Sequence, residues 1–265
     1  MVDFERKERY NIDDLVEIMR LLRAPGGCPW DAEQTHESIK KNLIEETYEV
    51  IEAINKKDND LLCEELGDLL MQVVFHACME NEKGVFDFDD VCDGVCQKLV
   101  ERHPHVFGTV SVENTDDVLR NWDDIKRKSK GQKTTTQSML SVPRELPALM
   151  RATKLQKKAA DVGFDWNDVS GALDKLQEEI DELRQAVENK DSENMSEELG
   201  DVLFSAVNVS RFIKSDAEEA LTAASDKFLA RFTTVEKLAE ERGIDMKSSA
   251  IEELDKLWDE AKTVN

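Results

Sequence analysis

Six carboxylates in one short stretch, and the same six further along the chain, are the residues here whose spacing could do chemistry. Glu45, Glu46 and Glu49 are followed, after a polar turn, by Glu64, Glu65 and Asp68. Glu178, Glu179, Glu182, Glu197, Glu198 and Asp201 repeat the set, each displaced by 133 residues with no gap between. A helix turns about 100° per residue, so Glu46 and Glu49 stand about 60° apart on one flank. Glu65 and Asp68 hold the matching flank of the next helix, and an antiparallel hairpin would bring the four together. Glu179, Glu182, Glu198 and Asp201 do the same in the second half. Four such groups repel at neutral pH, and a divalent cation relieves them. All-oxygen donors favour Mg²⁺, with Mn²⁺ as a substitute, over zinc or copper. Mg²⁺ shares its remaining positions with substrate phosphates, so the set points to a polyphosphate held through metal. A di-iron bundle would need histidine where Asp68 and Asp201 stand. One Glu-x-x-Glu pair is most often a solvated helix face; two copies in register argue for more.

Helical periodicity supplies the elements that must position these groups. Apolar Leu15, Ile18, Met19 and Leu22 mark a first helix over 12–22. Acidic helices are expected over 38–55 and 61–82, with Asp60 as a cap for the second. Leu43, Val50, Ile51 and Ile54 form the expected buried stripe of the first, and Leu62, Leu66, Leu69, Leu70 and Val73 that of the second. A helix towards Arg102 follows Asp87. Cys28–Asp31 and His103–Gly108 read as proline-containing loops, and 115–128 as a helix. The polar, aperiodic run 129–142 reads as a linker between domains 1–128 and 143–265. The second half echoes the first throughout. Gly163–Asn167 matches Gly27–Asp31, Lys227 and Arg231 match the spacing of Lys98 and Arg102, and Trp258–Lys262 matches Trp122–Lys126. The fold class is therefore all-α, a tandem repeat of two helical-bundle domains.

Composition agrees and narrows the function. Only 6% of the 265 residues are aromatic while 35% are charged, which favours helices over sheets. A net charge of −23 argues against a DNA-binding surface. No apolar run approaches the length of a membrane span. Five cysteines without framework spacing read as structural thiols of a reducing, cytoplasmic location. Cys92 and Cys96 lack the partners of a zinc site. His103 and His105 shape a loop or touch phosphate, and Trp258 either stacks on a base or packs in the core.

The pattern Glu-Glu-x-x-Glu, a spacer, then Glu-x-x-Asp resembles the MazG family of all-α nucleoside triphosphate pyrophosphohydrolases. Gly27-Cys28-Pro29-Trp30-Asp31, Glu101–Phe107 and Val162–Trp166 extend the resemblance over nearly the whole chain. It implies Mg²⁺-dependent hydrolysis of nucleoside triphosphates to monophosphate and pyrophosphate by a homodimer. Glu179, Glu182, Glu198 and Asp201 would be metal ligands, and Glu178, with Glu179, would be catalytic, Glu178 as base for the attacking water. Lys175, Lys227, Arg231, Trp258 and Lys262 would contact nucleotide, together with Glu197 and the acidic set. Asn194 stands where the family often has lysine. Glu46, Glu49, Glu65 and Asp68 match as a first-half metal set, with Lys98, Arg102 and Lys126 as phosphate contacts, but Asn42 replaces the equivalent of Lys175. The second half is accordingly the favoured catalytic one. The rival from another class is a non-catalytic nucleotide-binding or dimerisation protein that retains the motif.

Overall fold

The computed structural model describes residues 4–112, 114–129 and 131–264; side chains at 116, 119, 120, 123, 124, 127, 128 and 264 fall outside the description. Asp123 and Asp124 of the Trp122–Lys126 echo are among these. Every described element is a helix. The chain divides into two units, Met1–Lys126 and Arg127–Asn265.

In the first unit α1 (Ile12–Arg23), the short α2 (Pro29–Glu33), α3 (His36–Lys56), α4 (Asn59–Glu82), α5 (Phe88–Arg102) and α6 (Pro104–Phe107) precede α7 (Thr115–Ser129), within which the unit boundary falls. The second unit continues with α8 (Thr135–Leu140), α9 (Ala148–Ala160), α10 (Val169–Asn189), α11 (Ser192–Phe212), α12 (Ala217–Arg242) and α13 (Ile251–Val264). Each unit is organised on a hairpin, α3 with α4 and α10 with α11. Both hairpins turn through a lysine in the left-handed region, Lys57 at φ 56° and Lys190 at φ 58°. An L-residue there is disfavoured by roughly 1–2 kcal/mol. The same feature 133 residues apart shows that the register of the acidic repeat is a register of backbone structure. Burial follows it: Ile39 and Ala172, Ala53 and Ala186, and Val74 and Val207 are all buried.

Proline and caps account for where the sequence reading misplaced boundaries. Pro29 and Pro104, expected within loops, each sit at the first helical position, where the missing N–H is no loss, and open a short helix. Asp58 rather than Asp60 caps α4, accepting from the amides of Asp60 and Leu61. The segment 129–142 is not simply a connector. Thr134 and Gln137 form a capping box for α8, which packs on α9, and Lys158 reaches the hydroxyl of buried Ser138 at 2.5 Å.

The core of the first unit is Met19, Ile39, Val74, Phe75, Cys78 and Met79. Val235, Ala239, Leu257 and Ala261 join α12 to α13 in the second. The expected buried stripes differ from this. Ile51, Ile54, Leu66 and Leu70 are exposed and Leu43, Val50, Leu62, Leu69 and Val73 only half-buried, because the buried core of the hairpin lies instead at Ile39, Ala53 and the later part of α4. Among the described residues no helix is long and apolar enough to cross a membrane.

Candidate active site

The hairpins do what the carboxylate spacing requires. In the first unit Glu46 and Glu49 of α3 meet Glu65 of α4, with one oxygen from each within 4.8 Å of the others. In the second, Glu179 and Glu182 of α10 meet Glu198 of α11 in the same way. Asp68 and Asp201 lie outside these tight triads, yet each acts on its cluster as a charge. Burial first, then Asp68, raises the pKa of Glu46. Burial and then the charges of Glu182, Glu179 and Asp201 raise that of Glu198. Glu65 and Glu182 are raised as well, each chiefly by desolvation and then by neighbouring glutamates. Oxygen donors converging from two helices and resisting ionisation together form a donor set that suits a hard divalent cation.

The two clusters differ in their local cation. Lys175 Nζ lies 2.8 Å from Glu178 and 2.9 Å from Glu179, and these two bonds raise its pKa. Glu179 is only 7% exposed, whereas Glu178 faces solvent. At the equivalent place the first unit has Asn42, which carries no ammonium, and among the described residues no ion pair reaches its triad. Glu45, Glu64 and Glu197 are exposed beside their clusters. Asn194 serves the α11 cap, its amide donating to Asp191.

The remaining cations do not join the triads within one chain. Lys227 is exposed on α12, and Arg231 is half-buried there with its Nε enclosed and unbonded. Trp258 packs on the α12–α13 core with its ring 5.2 Å from Phe228, and Lys262 is paired with Asp259 at 2.8 Å. Among the described residues, no ion pair or hydrogen bond links these four to the carboxylates. In the first unit Lys98 is exposed, and Arg102 lies 5.8 Å over the Trp122 ring. Lys126 is half-buried on the same helix as Trp122. His103 joins α5 to α6, its Nδ1 2.6 Å from the Leu99 carbonyl and its ring edge-on to Trp122. All five cysteines are free thiols.

Two arrangements were not legible in the motifs. His36 stacks on His76 with their Nδ1 atoms 2.7 Å apart, and its Nε2 lies 2.5 Å from Glu80. In the second unit a cavity of about 470 Å³ opens beside α11, lined by residues of α9, α11 and the loop Gly163–Trp166. Neither involves a recurring spacing; each depends on how helices meet.

Comparison with known proteins places these features. The model of the MazG nucleotide pyrophosphohydrolase domain matches residues 34–107 and again 168–237, so that each match contains one hairpin. A nucleoside triphosphate pyrophosphohydrolase of Escherichia coli is 47% identical over 256 residues, covering 95% of this chain and 97% of the relative. A nucleoside triphosphate pyrophosphohydrolase/pyrophosphatase MazG of Thermotoga maritima is 46% identical, covering 94% and 95%. A Bacillus subtilis protein, YabN, is 51% identical over 92% of this chain and half of its own length.

Proposed function

This chain belongs to the MazG family, and we propose that it hydrolyses nucleoside triphosphates to monophosphate and pyrophosphate with Mg²⁺, the second unit being the catalytic one. The observation that carries this is Glu179. It is almost fully buried, yet meets Glu182 and Glu198 with Lys175 as its one bonded cation. Burying a carboxylate among like charges is costly unless positive charge is held there. Near-full-length relatives named for this hydrolysis support the same reading.

Each residue then has a task. Glu179, Glu182 and Glu198 would hold the metal, with Asp201 completing the negative field. Once bound, Mg²⁺ would offset the charge of the triphosphate and polarise the phosphoryl group under attack. Glu178, exposed at the rim, takes the proton as the water oxygen adds to phosphorus. The α–β anhydride bond breaks and pyrophosphate carries away its electron pair. Lys175, already between Glu178 and Glu179, is placed to bind a phosphate oxygen. Mn²⁺ would serve in place of Mg²⁺.

A homodimer is part of the proposal. Lys227, Arg231, Trp258 and Lys262 sit on the α12–α13 pair, and the uncovered apolar residues of the hairpins offer a surface for a second copy. The free thiols agree with a cytoplasmic location. The first unit, with Asn42 for the lysine, is a metal-binding support rather than a second working centre. The test is product analysis with a panel of triphosphates, with and without Mg²⁺, on the wild type, Glu46→Ala and Glu179→Ala. Mg²⁺-dependent pyrophosphate release lost only in Glu179→Ala is the expected result. Release of orthophosphate instead, or no hydrolysis of any triphosphate, overturns the assignment.

A further inference from the structure

Acidic residues outnumber lysines and arginines in this chain by 58 to 35, yet residues 131–160 hold six cations and a single acid, Glu145. Four of the six, Arg151, Lys154, Lys157 and Lys158, stand on α9, which contains no acidic residue. Its counterpart α1, which packs on the first acidic hairpin as α9 packs on the second, carries Asp13, Asp14 and Glu17. Both α1 arginines are neutralised, Arg20 by Glu17 and Arg23 by Glu82, each at 2.6 Å. On α9, Lys154 and Lys157 are exposed, and Arg151 is half-buried with its Nε enclosed and unbonded. Among the described residues none of these three is in an ion pair. Lys158 meets the Ser138 hydroxyl rather than a carboxylate.

Helix stability does not account for this charge. Lys157 and Lys158 complement the C-terminal end of α9, but Arg144 precedes its N-terminus and Arg151 opens its second turn, on the side where the dipole favours acids. The carboxylate that α12 brings there, Glu218, accepts from the Met150 amide and not from a cation. The position of the helix is more telling. Gln156, between Lys154 and Lys157, donates to the Phe204 carbonyl of α11 at 2.8 Å. Phe204 follows Asp201 by three residues and Glu198 by six, roughly 5 and 9 Å along the helix. With packed axes about 8–10 Å apart, the exposed ammonium groups lie on the order of 15–20 Å from the triad. That is too far for a bond. It is well within a field that decays over about 30 Å at 0.01 M salt.

We propose that α9 is an electrostatic entry strip, on which Lys154 and Lys157 draw a nucleoside triphosphate towards the second hairpin against the repulsion of a chain of net charge −23. The ligand class rests on the hydrolytic reading above. These side chains act at a distance, so they set how fast the polyanion arrives and not how its anhydride is cleaved. The first unit has an acidic α1, and Asn42 where the second has Lys175. Unpaired positive charge therefore favours arrival at the second hairpin.

The test is the association rate of a fluorescently labelled, non-hydrolysable α,β-methylene nucleoside triphosphate with Mg²⁺, followed by rapid mixing across ionic strength. It compares the full wild-type chain with Lys154→Gln/Lys157→Gln and with Lys40→Gln/Lys41→Gln, which removes the same charge from exposed positions of α3. The α9 variant should associate about fivefold more slowly at about 0.01 M salt and match wild type at about 1 M, where fields reach only about 3 Å. The α3 variant should stay within about twofold of wild type throughout, since its net charge changes equally but the strip is intact. The kcat for saturating triphosphate should be the same in all three. Equal association by wild type and the α9 variant at low salt, an equal slowing in the α3 variant, or no binding of the analogue overturns the proposal. Slowed, salt-dependent arrival in the α9 variant with no hydrolysis by wild type leaves the strip standing and removes the hydrolytic reading. Hydrolysis by wild type with no effect of the strip does the reverse.

Discussion

Lys175 Nζ lies 2.9 Å from the buried carboxylate of Glu179 and 2.8 Å from the exposed one of Glu178, bridging the proposed metal ligand and the proposed base. The first unit has Asn42 in its place. Lys175→Asn should therefore reduce kcat/KM for triphosphate hydrolysis at least tenfold. It should also lower the melting temperature without metal, since Glu179 loses its cation. Steady-state kinetics and thermal melts with and without Mg²⁺ check both halves.

Glu198 shows how the cluster bears on stability. Its pKa is raised by burial and by Glu182, Glu179 and Asp201, so the folded state binds its proton more tightly than the unfolded state. Its ionisation therefore weakens the fold as pH rises from the ordinary carboxylate value through the raised one. Above the raised value the penalty is fully present. Glu198→Gln should abolish hydrolysis yet raise the metal-free melting temperature. Mg²⁺ should stabilise wild type and have little effect on the variant.

The pair of stacked imidazoles in the first unit gives a different pH response. Burial first and then the His36 charge lower the pKa of His76. The group stacked on it is His36, whose other ring nitrogen meets Glu80, itself also held by Lys83. The unfolded state binds the extra proton more readily, so this contribution is complete above about 6.5 and is lost as pH falls from there to the lowered value. The urea midpoint should fall between pH 7 and 5.5, and His76→Leu should flatten that fall. Acid loss below the ordinary glutamate range remains, because the Lys83 and His36 bonds hold the pKa of Glu80 low.

Arg23 carries structural weight outside any motif. Its side chain is 7% exposed, pairs with Glu82 at 2.6 Å, and donates to the carbonyls of Asp31 and Gln34. Arg23→Ala should destabilise the protein by about 2 kcal/mol, through unsatisfied carbonyls and lost packing over Phe75. Chemical denaturation measures this, and the product pattern of hydrolysis should not change.

The repeat, the helical class and the two carboxylate triads were legible in the sequence because each depends on spacing along one helix or across one hairpin. The 133-residue register located Glu46, Glu49 and Glu65 and their counterparts, and it carried on to the left-handed lysines. Periodicity alone misjudged Ile51 and Leu66, since an apolar stripe says that a face seeks cover and not that its own chain supplies it. Pro29 and Pro104 were read as parts of loops where their position opens short helices. The tertiary structure decided what spacing could not. It buried Glu179 while leaving Glu178 in solvent, and stacked His36 on His76 across 40 residues. It closed one unit around Phe75 while opening the other beside Asn208. Those outcomes follow from volumes and charges that meet only when helices pack, and no local pattern encodes them.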